Sequence, residues 1–290
     1  MGIISHSLST SADTSRLLSP ALWNNCPILD MLLHKRDGVF VYEEWLTQDD
    51  EDGADAGWMR YIDTGNTIRQ VATNTTALAT GLRGGVLRLS ADASDNDAPI
   101  IQYQTANGAA PFIIGNTAGA AWPFWLEARI KKSSITDNQA AFFVGLAQAG
   151  TAADDGLLAD NTGDLVDSIS AIGWRVLQDN GEELDFVYQD GGQTSPTETI
   201  ANATAMVAAT WIKLGFFYNP LAPSTQKISM FINNQVQSTY ITTTNIDAST
   251  FPENDAMTPV IGLKTGEATA VTLDCDWIAF SQVYDWVGTP

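Results

Sequence analysis

Two carboxylates in one short segment, Glu183 and Asp185, have the spacing that glycoside hydrolysis uses. Successive side chains of a β-strand point to opposite faces, so these two would share a face. A retaining hydrolase needs a nucleophile and an acid/base about 5–5.5 Å apart, which the strand pattern Glu-x-Asp-x-x-Glu supplies. In this chain Tyr188 replaces the final acid. We therefore interpret the pair as a solvated edge at the start of a strand, and we expect no catalysis there.

Histidine and cysteine are too scarce for the other common catalytic centres. The chain has two histidines, His6 and His34, and two cysteines, Cys26 and Cys275. Nucleophilic triads and zinc sites need histidine, and both histidines lie near the N-terminus, far in sequence from Cys275. The protein is therefore predicted not to be an enzyme. The cysteines favour two separate buried thiols, with a disulfide between them left open.

Aspartates in two loops are the candidate metal ligands. Asp50 and Asp52 lie in an acidic run beside a glycine, and Asp95 and Asp97 lie in a second acidic turn. Oxygen-rich loops bind Ca²⁺, but the first run lacks the opening Asp and closing Glu of an EF-hand loop. Calcium is thus the one candidate cofactor, and a solvated loop is the default interpretation.

Nine tryptophans are candidate platforms for sugar rings. Most lie within strand-like patterns, where core packing explains them. Trp122, which precedes a proline, and Trp286, near the C-terminus, are the best candidates for exposed rings. Such rings would contact either a glycan or a neighbouring subunit.

The charge of the chain excludes two classes of partner. It has 34 acidic and 14 basic residues and a net charge of −20, of which −5 falls before residue 133 and −15 after it. Such a surface repels nucleic acid and anionic membranes, and it keeps a particle carrying many copies soluble. The N-terminus lacks a basic region followed by an apolar stretch, and no apolar run approaches about 20 residues. We therefore expect synthesis in a cytoplasm without an export signal.

Residues 1–35 differ in composition from the rest, and we predict a boundary after them. They combine a Ser/Thr-rich start with frequent leucines, which are scarce in the following region. The segment 28–33 is too short for a helix that stands alone. It either packs on the main body as a cap or contacts another chain as an arm.

Residues 36–290 are predicted to form one β-sandwich domain. Residues 124–130 alternate between apolar and other side chains, and residues 141–147 are nearly all apolar, which is typical of a central strand covered on both sides. Residues 150–167 and 191–202 are predicted loops. The predicted strands span residues 38–46, 58–62, 67–71, 84–90, 100–103, 111–114, 124–130, 141–147, 169–176, 184–188, 211–218, 227–232, 236–242, 260–263 and 271–283. Many short strands with few helical patterns indicate an all-β sandwich.

The order of these segments resembles the concanavalin-like jelly roll of legume lectins, laminin-G-type modules and many glucanases. The likeness rests on Trp125-Leu-Glu-Ala-Arg-Ile130, Phe143-Val-Gly-Leu146, Trp211-Ile-Lys-Leu-Gly-Phe216, Ile228-Ser-Met-Phe-Ile-Asn233 and the closing strand from Leu273 to Phe280. In Gly85-Val-Leu-Arg-Leu89, Pro111-Phe112 and Ile172-Gly-Trp174 the chain also resembles virion proteins of tailed phages, of the capsid decoration or cement type. The resemblance implies a concanavalin-like jelly-roll β-sandwich with an N-terminal extension.

This resemblance implies a noncatalytic structural protein of a bacteriophage virion, made in the host cytoplasm. As a decoration or cement subunit it would bind the outer capsid lattice, with the major capsid protein and copies of itself as partners. The expected contact residues are the apolar ones of the N-terminal segment, namely Leu17, Leu18, Leu22, Trp23, Leu32 and Leu33. The alternative is a lectin-like module on a tail or fibre that recognises a host surface glycan.

Overall fold

The fold is a sandwich of two antiparallel sheets, seen in a computed structural model. The structure describes residues 16–34, 38–45, 57–62, 65–70, 85–103, 110–117, 121–152 and 155–284. The helices are α1 Pro20–Trp23, α2 Ile28–Leu33 and α3 Thr243–Ile246. The strands are β1 Gly38–Glu43, β2 Trp58–Tyr61, β3 Thr67–Gln70, β4 Leu87–Ala91, β5 Ile100–Tyr103, β6 Phe124–Lys132, β7 Ala140–Gln148, β8 Ala171–Val176, β9 Asp185–Gln189, β10 Thr197–Ile200, β11 Ile212–Tyr218, β12 Ile228–Ile232, β13 Gln235–Ile241, β14 Met257–Thr265 and β15 Val271–Val283.

The first sheet has the strand order β13-β12-β11-β6-β15-β4-β3. Its longest strand, β15, pairs with β4 through its first half and with β1 through its second half. The second sheet has the order β10-β9-β8-β7-β14-β5-β2. Sequence neighbours often lie in different sheets, so the connections cross between layers, as Greek-key and jelly-roll sandwiches require.

The core between the sheets follows from the two-residue period of the strands. Phe124, Leu126, Ala128 and Ile130 of β6 all point inward and are fully buried, as their alternation predicts. The predicted all-β sandwich is therefore confirmed. Burying one large apolar side chain contributes about 1.5–3 kcal/mol, so a core of this size holds the two sheets together.

The central strand of the second sheet, β7, is buried on both faces, which confirms its prediction from an apolar run. Phe142 and Val144 belong to the core between the sheets, whereas Ala141 and Phe143 pack under Leu157 and its neighbours in the following loop. That loop was predicted over 150–167, and its described part contains no helix.

Three local predictions are wrong. Thr197–Ile200 lies in a predicted loop but forms the edge strand β10. An edge strand pairs with one neighbour and can consist of polar residues, so it leaves no apolar pattern in the sequence. Residues 111–114 form no strand, and Phe112 makes a single bridge to Met257. The short helix α3 was also missed, although Thr242 and Asn245 form a capping box at its start.

Residues 16–34 pack on the outer face of the first sheet. Leu22, Trp23 and Met31 form an apolar cluster with Trp125 and Trp277 of that sheet. The cap interpretation therefore describes this part of the extension, and the boundary after residue 35 stays a prediction. Among the residues that the structure describes, no helix has the length and apolar character needed to cross a membrane.

Candidate functional site

Of the two carboxylates with catalytic spacing, Asp185 lies in a structural ion pair, whereas Glu183 is half-buried at an isolated bridge to Ala205. Asp185 is only 6% exposed, and its carboxylate lies 3.5 Å from the guanidinium of Arg175 while accepting a hydrogen bond from the amide of Asn202. The expectation of a solvated edge is wrong, because β10 pairs with β9 and makes β9 an interior strand. Tyr188 is buried against Phe251 in the core, so this position does not supply the final acid of the catalytic pattern.

Two buried cations hold a loop over the outer face of the second sheet. We call residues 155–169 the acidic cover. The side chain of Lys264 is 1% exposed and pairs with Asp155 and, at 2.6 Å, with Asp160. Arg175 likewise binds Asp164 of the cover, and Glu198 at 3.0 Å. The cover therefore closes this face with its leucines inward.

We call residues 16–34 the N-terminal cover. Ion pairs also hold it on the first sheet, but here the buried anion belongs to the sheet. Arg16 binds the fully buried Asp276 through two hydrogen bonds of 2.8 and 2.5 Å. The same carboxylate accepts a 2.7 Å hydrogen bond from Arg129. Here the buried carboxylate belongs to the sheet and the bound cation belongs to the cover.

A second buried acid, Glu127, binds the middle of the N-terminal cover. Its Oε2 accepts hydrogen bonds from the amide of Ser19 at 2.9 Å and from the indole of Trp23 at 2.8 Å. Burial raises the pKa of Glu127, and the contacts with Ser19, Trp23 and Lys213 oppose that shift. Both donors come from the cover, so this carboxylate orients it on the sheet.

The six predicted contact residues divide into two groups. Leu22 and Trp23 are buried against the chain's own sheet, and Leu18 packs beside them, so they are not available to a second chain. Leu17, Leu32 and Leu33 are 45%, 56% and 67% exposed. Burial of the first group follows from the tertiary packing of α1, which sequence reasoning did not include.

Sequence reasoning missed one member of the exposed group, Leu29, which is 68% exposed. Leu29, Leu32 and Leu33 stand at positions i, i+3 and i+4 of α2, so they share one helix face. That spacing was the available signal. We call these three residues the leucine face.

A hollow of about 300 Å³ lies beside the leucine face. Its walls come from α2, the start of β1 and the end of β15, and they are formed by Met31, Leu32, Gly38, Val39, Phe40 and Tyr284. Gly38 is required here, because an added Cβ would lie 2.5 Å from the backbone oxygen of Gln282 and 2.8 Å from the sulfur of Met31. Leu32 belongs both to the hollow and to the leucine face, so the two adjoin.

The candidate calcium ligands are not brought together with further acids in the part of the chain that is described. Asp50 and Asp52 lie outside the described residues; Asp95 is exposed and Asp97 is buried. Within the described ranges, no three His, Cys, Asp or Glu side chains form a group that could hold a metal ion. Calcium binding stays a prediction.

The two cysteines are free thiols, so the alternative of a disulfide is wrong. Burial raises the pKa of Cys26 to about 12, and it raises the pKa of the fully buried Cys275 as well. Neither thiol is therefore an activated nucleophile at neutral pH. His34 follows α2, and His6 lies outside the described residues.

Most tryptophans have the predicted core positions. The rings that are 2% exposed or less are Trp45, Trp58, Trp125, Trp174 and Trp277. Trp122, a predicted exposed ring, is half-buried and contacts Tyr284 edge-on, and Trp286 lies outside the described residues. Trp211 is half-buried, with Arg129 and Lys131 over its ring at 4.5 and 4.7 Å.

The comparisons with known proteins identify the fold. The sequence matches no protein-family model and no curated protein. A protein of unknown function, SO2946 from Shewanella oneidensis MR-1, matches with a TM-score of 0.51 and 10% identity, covering 88% of this chain and 90% of its own. The carbohydrate recognition domain of Emp46p matches with a TM-score of 0.52 and 12% identity, over 84% and 96% of the two chains.

A GH16 protein of Bacteroides ovatus, in complex with a mixed-linkage glucan product, matches with a TM-score of 0.50 and 10% identity, over 83% of this chain and 99% of its own. The class of the protein is thus a concanavalin-like jelly-roll β-sandwich, as the sequence predicts. At these identities the likeness extends to the fold alone, which serves both lectin-like domains and enzymes.

Proposed function

We propose that the chain is a noncatalytic structural protein that binds the outside of a virus capsid as a decoration or cement subunit. The observation that carries this proposal is the leucine face, where three neighbouring leucines on a six-residue helix are each more than half exposed. Exposed apolar patches on soluble domains mark sites of interaction with other macromolecules. The major capsid protein is the proposed partner.

The size of the leucine face suits a weak contact that is repeated many times. Burying what remains exposed of Leu29, Leu32 and Leu33 contributes about 3–5 kcal/mol before the costs of association. A single copy would therefore bind weakly. A capsid offers the same contact at every lattice position, and neighbouring copies that touch would strengthen one another's binding.

The charge distribution supports the same orientation. The net charge of −20 would face solvent and keep the decorated particle soluble. The N-terminal cover directs its cation inward to Asp276 and presents leucines outward, whereas the acidic cover presents carboxylates outward. The uncharged leucines are thus the part of the surface best suited to a protein contact.

Co-sedimentation with purified capsids assembled without this protein tests the proposal. The triple variant Leu29→Ser, Leu32→Ser, Leu33→Ser should lose at least about tenfold in binding while keeping its fold. The matched control is the double variant Val207→Ser, Leu221→Ser, which changes side chains that are 62% and 59% exposed elsewhere. Deleting residues 1–35 would be less informative, because that deletion also removes the buried Leu22 and Trp23. Undiminished binding by the triple variant would overturn the proposal.

A lectin-like module on a tail or fibre is the second candidate. The fold likeness to a carbohydrate recognition domain over 84% of the chain supports it. Saturable binding on a glycan array, weakened by Trp122→Ala and unaffected by the triple leucine variant, would favour this function. If the protein binds no glycan even at millimolar glycan concentrations, the lectin-like function is ruled out.

A further inference from the structure

The strand beside the leucine face, β1, has one paired edge. It pairs with β15 along its full length in regular register, from Gly38 opposite Val283 to Glu43 opposite Ile278. Among the residues that the structure describes, no strand pairs with its second edge. The run Val39-Phe-Val-Tyr42 is apolar and contains no proline. Its outward backbone groups therefore have the arrangement that accepts an added strand.

Other edge strands of the sandwich carry features that discourage strand addition. The edge strands β2 and β3 have four residues each and contain Arg60 and Arg69, and β10 contains Glu198 and an irregular register. The edge strand β13 has a register shift opposite β12, between Ser229 and Phe231. Charges, short strands and bulges are the usual protections of an exposed edge. Within the described chain, β1 has a regular register and its single charge at the last position.

The hollow lies at the start of the same edge. A strand added along β1 would point alternate side chains to the outer face, on the side of Phe40 and Tyr42. The hollow, at about 300 Å³, can receive one large apolar side chain between Leu32 and Tyr284. Main-chain pairing would provide affinity, and this side chain would set the register.

The charges near β1 restrict the occupant. Glu43 and Glu44 lie at the end of β1, and Asp30 lies on α2 next to the hollow-lining Met31. Around β1 in the sequence, the acids Asp30, Asp37, Glu43 and Glu44 outnumber the two bases, Lys35 and Arg36. A second copy of this chain would bring a net charge of −20 and the same acids against these. The complementary occupant is an extended segment with apolar residues at alternate positions and lysine or arginine at its ends.

We propose that β1 accepts such an apolar, basic-ended segment of a partner protein as an added β-strand, with one side chain in the hollow. This inference rests on the proposed function, since the capsid subunit would supply the segment. The leucine face would then cover the outer side of the added strand.

Synthetic peptides test the inference directly. The probe has valine and leucine at alternate positions, threonine between them and two lysines at each end. Bound to the full chain, it should slow hydrogen exchange of the β1 amides, with unchanged exchange in β13. A matched peptide with a central proline should bind at least about tenfold more weakly, because proline removes a main-chain donor. A glutamate-ended peptide should be weakened by a similar factor.

Variants of the chain complete the experiment. Leu32→Asp should weaken the lysine-ended peptide at least about tenfold, and the control Leu221→Asp should not. Equal binding of the proline peptide, or no slowing of exchange in β1, would overturn the inference. If leucine-dependent capsid binding persists in that case, the proposed function stands without the added strand. Peptide binding without capsid binding would support the strand site and refute the capsid as its partner.

Discussion

The two covers solve the same packing problem in different ways. Each lies on the outer face of a sheet, and each places a leucine over a glycine, Leu22 over Gly215 and Leu157 over Gly262. The acidic cover finishes the task, since its leucines are at most 3% exposed. The N-terminal cover leaves the leucine face in solvent. The difference teaches that apolar residues over the second sheet are used to complete the fold, whereas some of those over the first sheet stay exposed to solvent.

The polarity of the holding charges is also reversed. On the second sheet the buried groups are cations, Arg175 and Lys264, and the carboxylates belong to the cover. On the first sheet the buried acids Glu127 and Asp276 accept hydrogen bonds from the cover, although the buried Lys213 also donates one to the carbonyl oxygen of Leu17. A chain with a large excess of acids thus places carboxylates outward on one face and inward on the other.

The largest expected effect comes from removing a buried ion-pair partner on either sheet. Arg175→Ala leaves Asp185 buried without its cation, and Asp276→Ala removes the buried carboxylate that Arg16 and Arg129 share. Each should lower the free energy of unfolding by about 3–5 kcal/mol, measured by urea denaturation.

The control is Arg88→Ala, whose guanidinium is 32% exposed and whose partner Asp274 keeps Lys131. It should cost about 1 kcal/mol or less. A small loss of stability for Arg175→Ala or Asp276→Ala alone would show that the two covers do not depend equally on their buried ion pairs.

Truncating the buried leucine of each cover should have the next largest effect. Leu22→Ala and Leu157→Ala should each cost about 2–5 kcal/mol in the free energy of unfolding. Only Leu22→Ala should speed alkylation of Cys26, which packs against the N-terminal cluster, and neither should expose Cys275 before global unfolding. Equal labelling of Cys26 in both variants would mean that the covers do not open independently.

A smaller, pH-dependent effect distinguishes the acid under the N-terminal cover. Because burial raises the pKa of Glu127, the folded chain binds more protons there than the unfolded chain does. Its contribution to stability therefore falls as the pH rises above about 4.3, the ordinary pKa of glutamate. Glu127→Gln keeps an oxygen acceptor and removes this titration. The unfolding free energy of the wild type minus that of the variant should decrease between about pH 4 and 7, and a constant difference would contradict the prediction.

The smallest effect on stability is expected for substitutions in the leucine face. Replacing Leu29 or Leu33 by serine should change the free energy of unfolding by less than about 0.5 kcal/mol, because these side chains are 68% and 67% exposed. The same denaturation experiment that detects Leu157→Ala provides the scale. A loss above about 2 kcal/mol would show that the leucine face stabilises the fold itself.

Local patterns predicted the strands that are buried on at least one face. β6 and β7 were found because their apolar residues repeat with the period of a strand or fill both faces. The edge strand β10 was missed, since a half-exposed polar strand has no such pattern. Residues 111–114 were assigned wrongly because Phe112 and Ile114 are buried by packing, while the pairing of this segment is limited to the isolated bridge between Phe112 and Met257.

The candidate site was only partly predictable for a related reason. The leucines of residues 17–33 stood out by composition, but which of them face the sheet depends on where α1 and α2 dock. Leu22 is directed inward by the space over Gly215, and Leu32 outward by the position of α2. No local signal distinguishes these two leucines.

The sequence by itself determined the all-β class, the inward faces of the central strands and the excess of acidic charge, because each depends on composition or on a local period. Tertiary structure alone decided which charges are buried and which leucines stay exposed. Arg16 and Asp276 are separated by 260 residues, and they meet only because the N-terminal cover packs over β15, an interior strand of the first sheet. Burial and pairing at that distance depend on the packing of whole sheets, which no local pattern encodes.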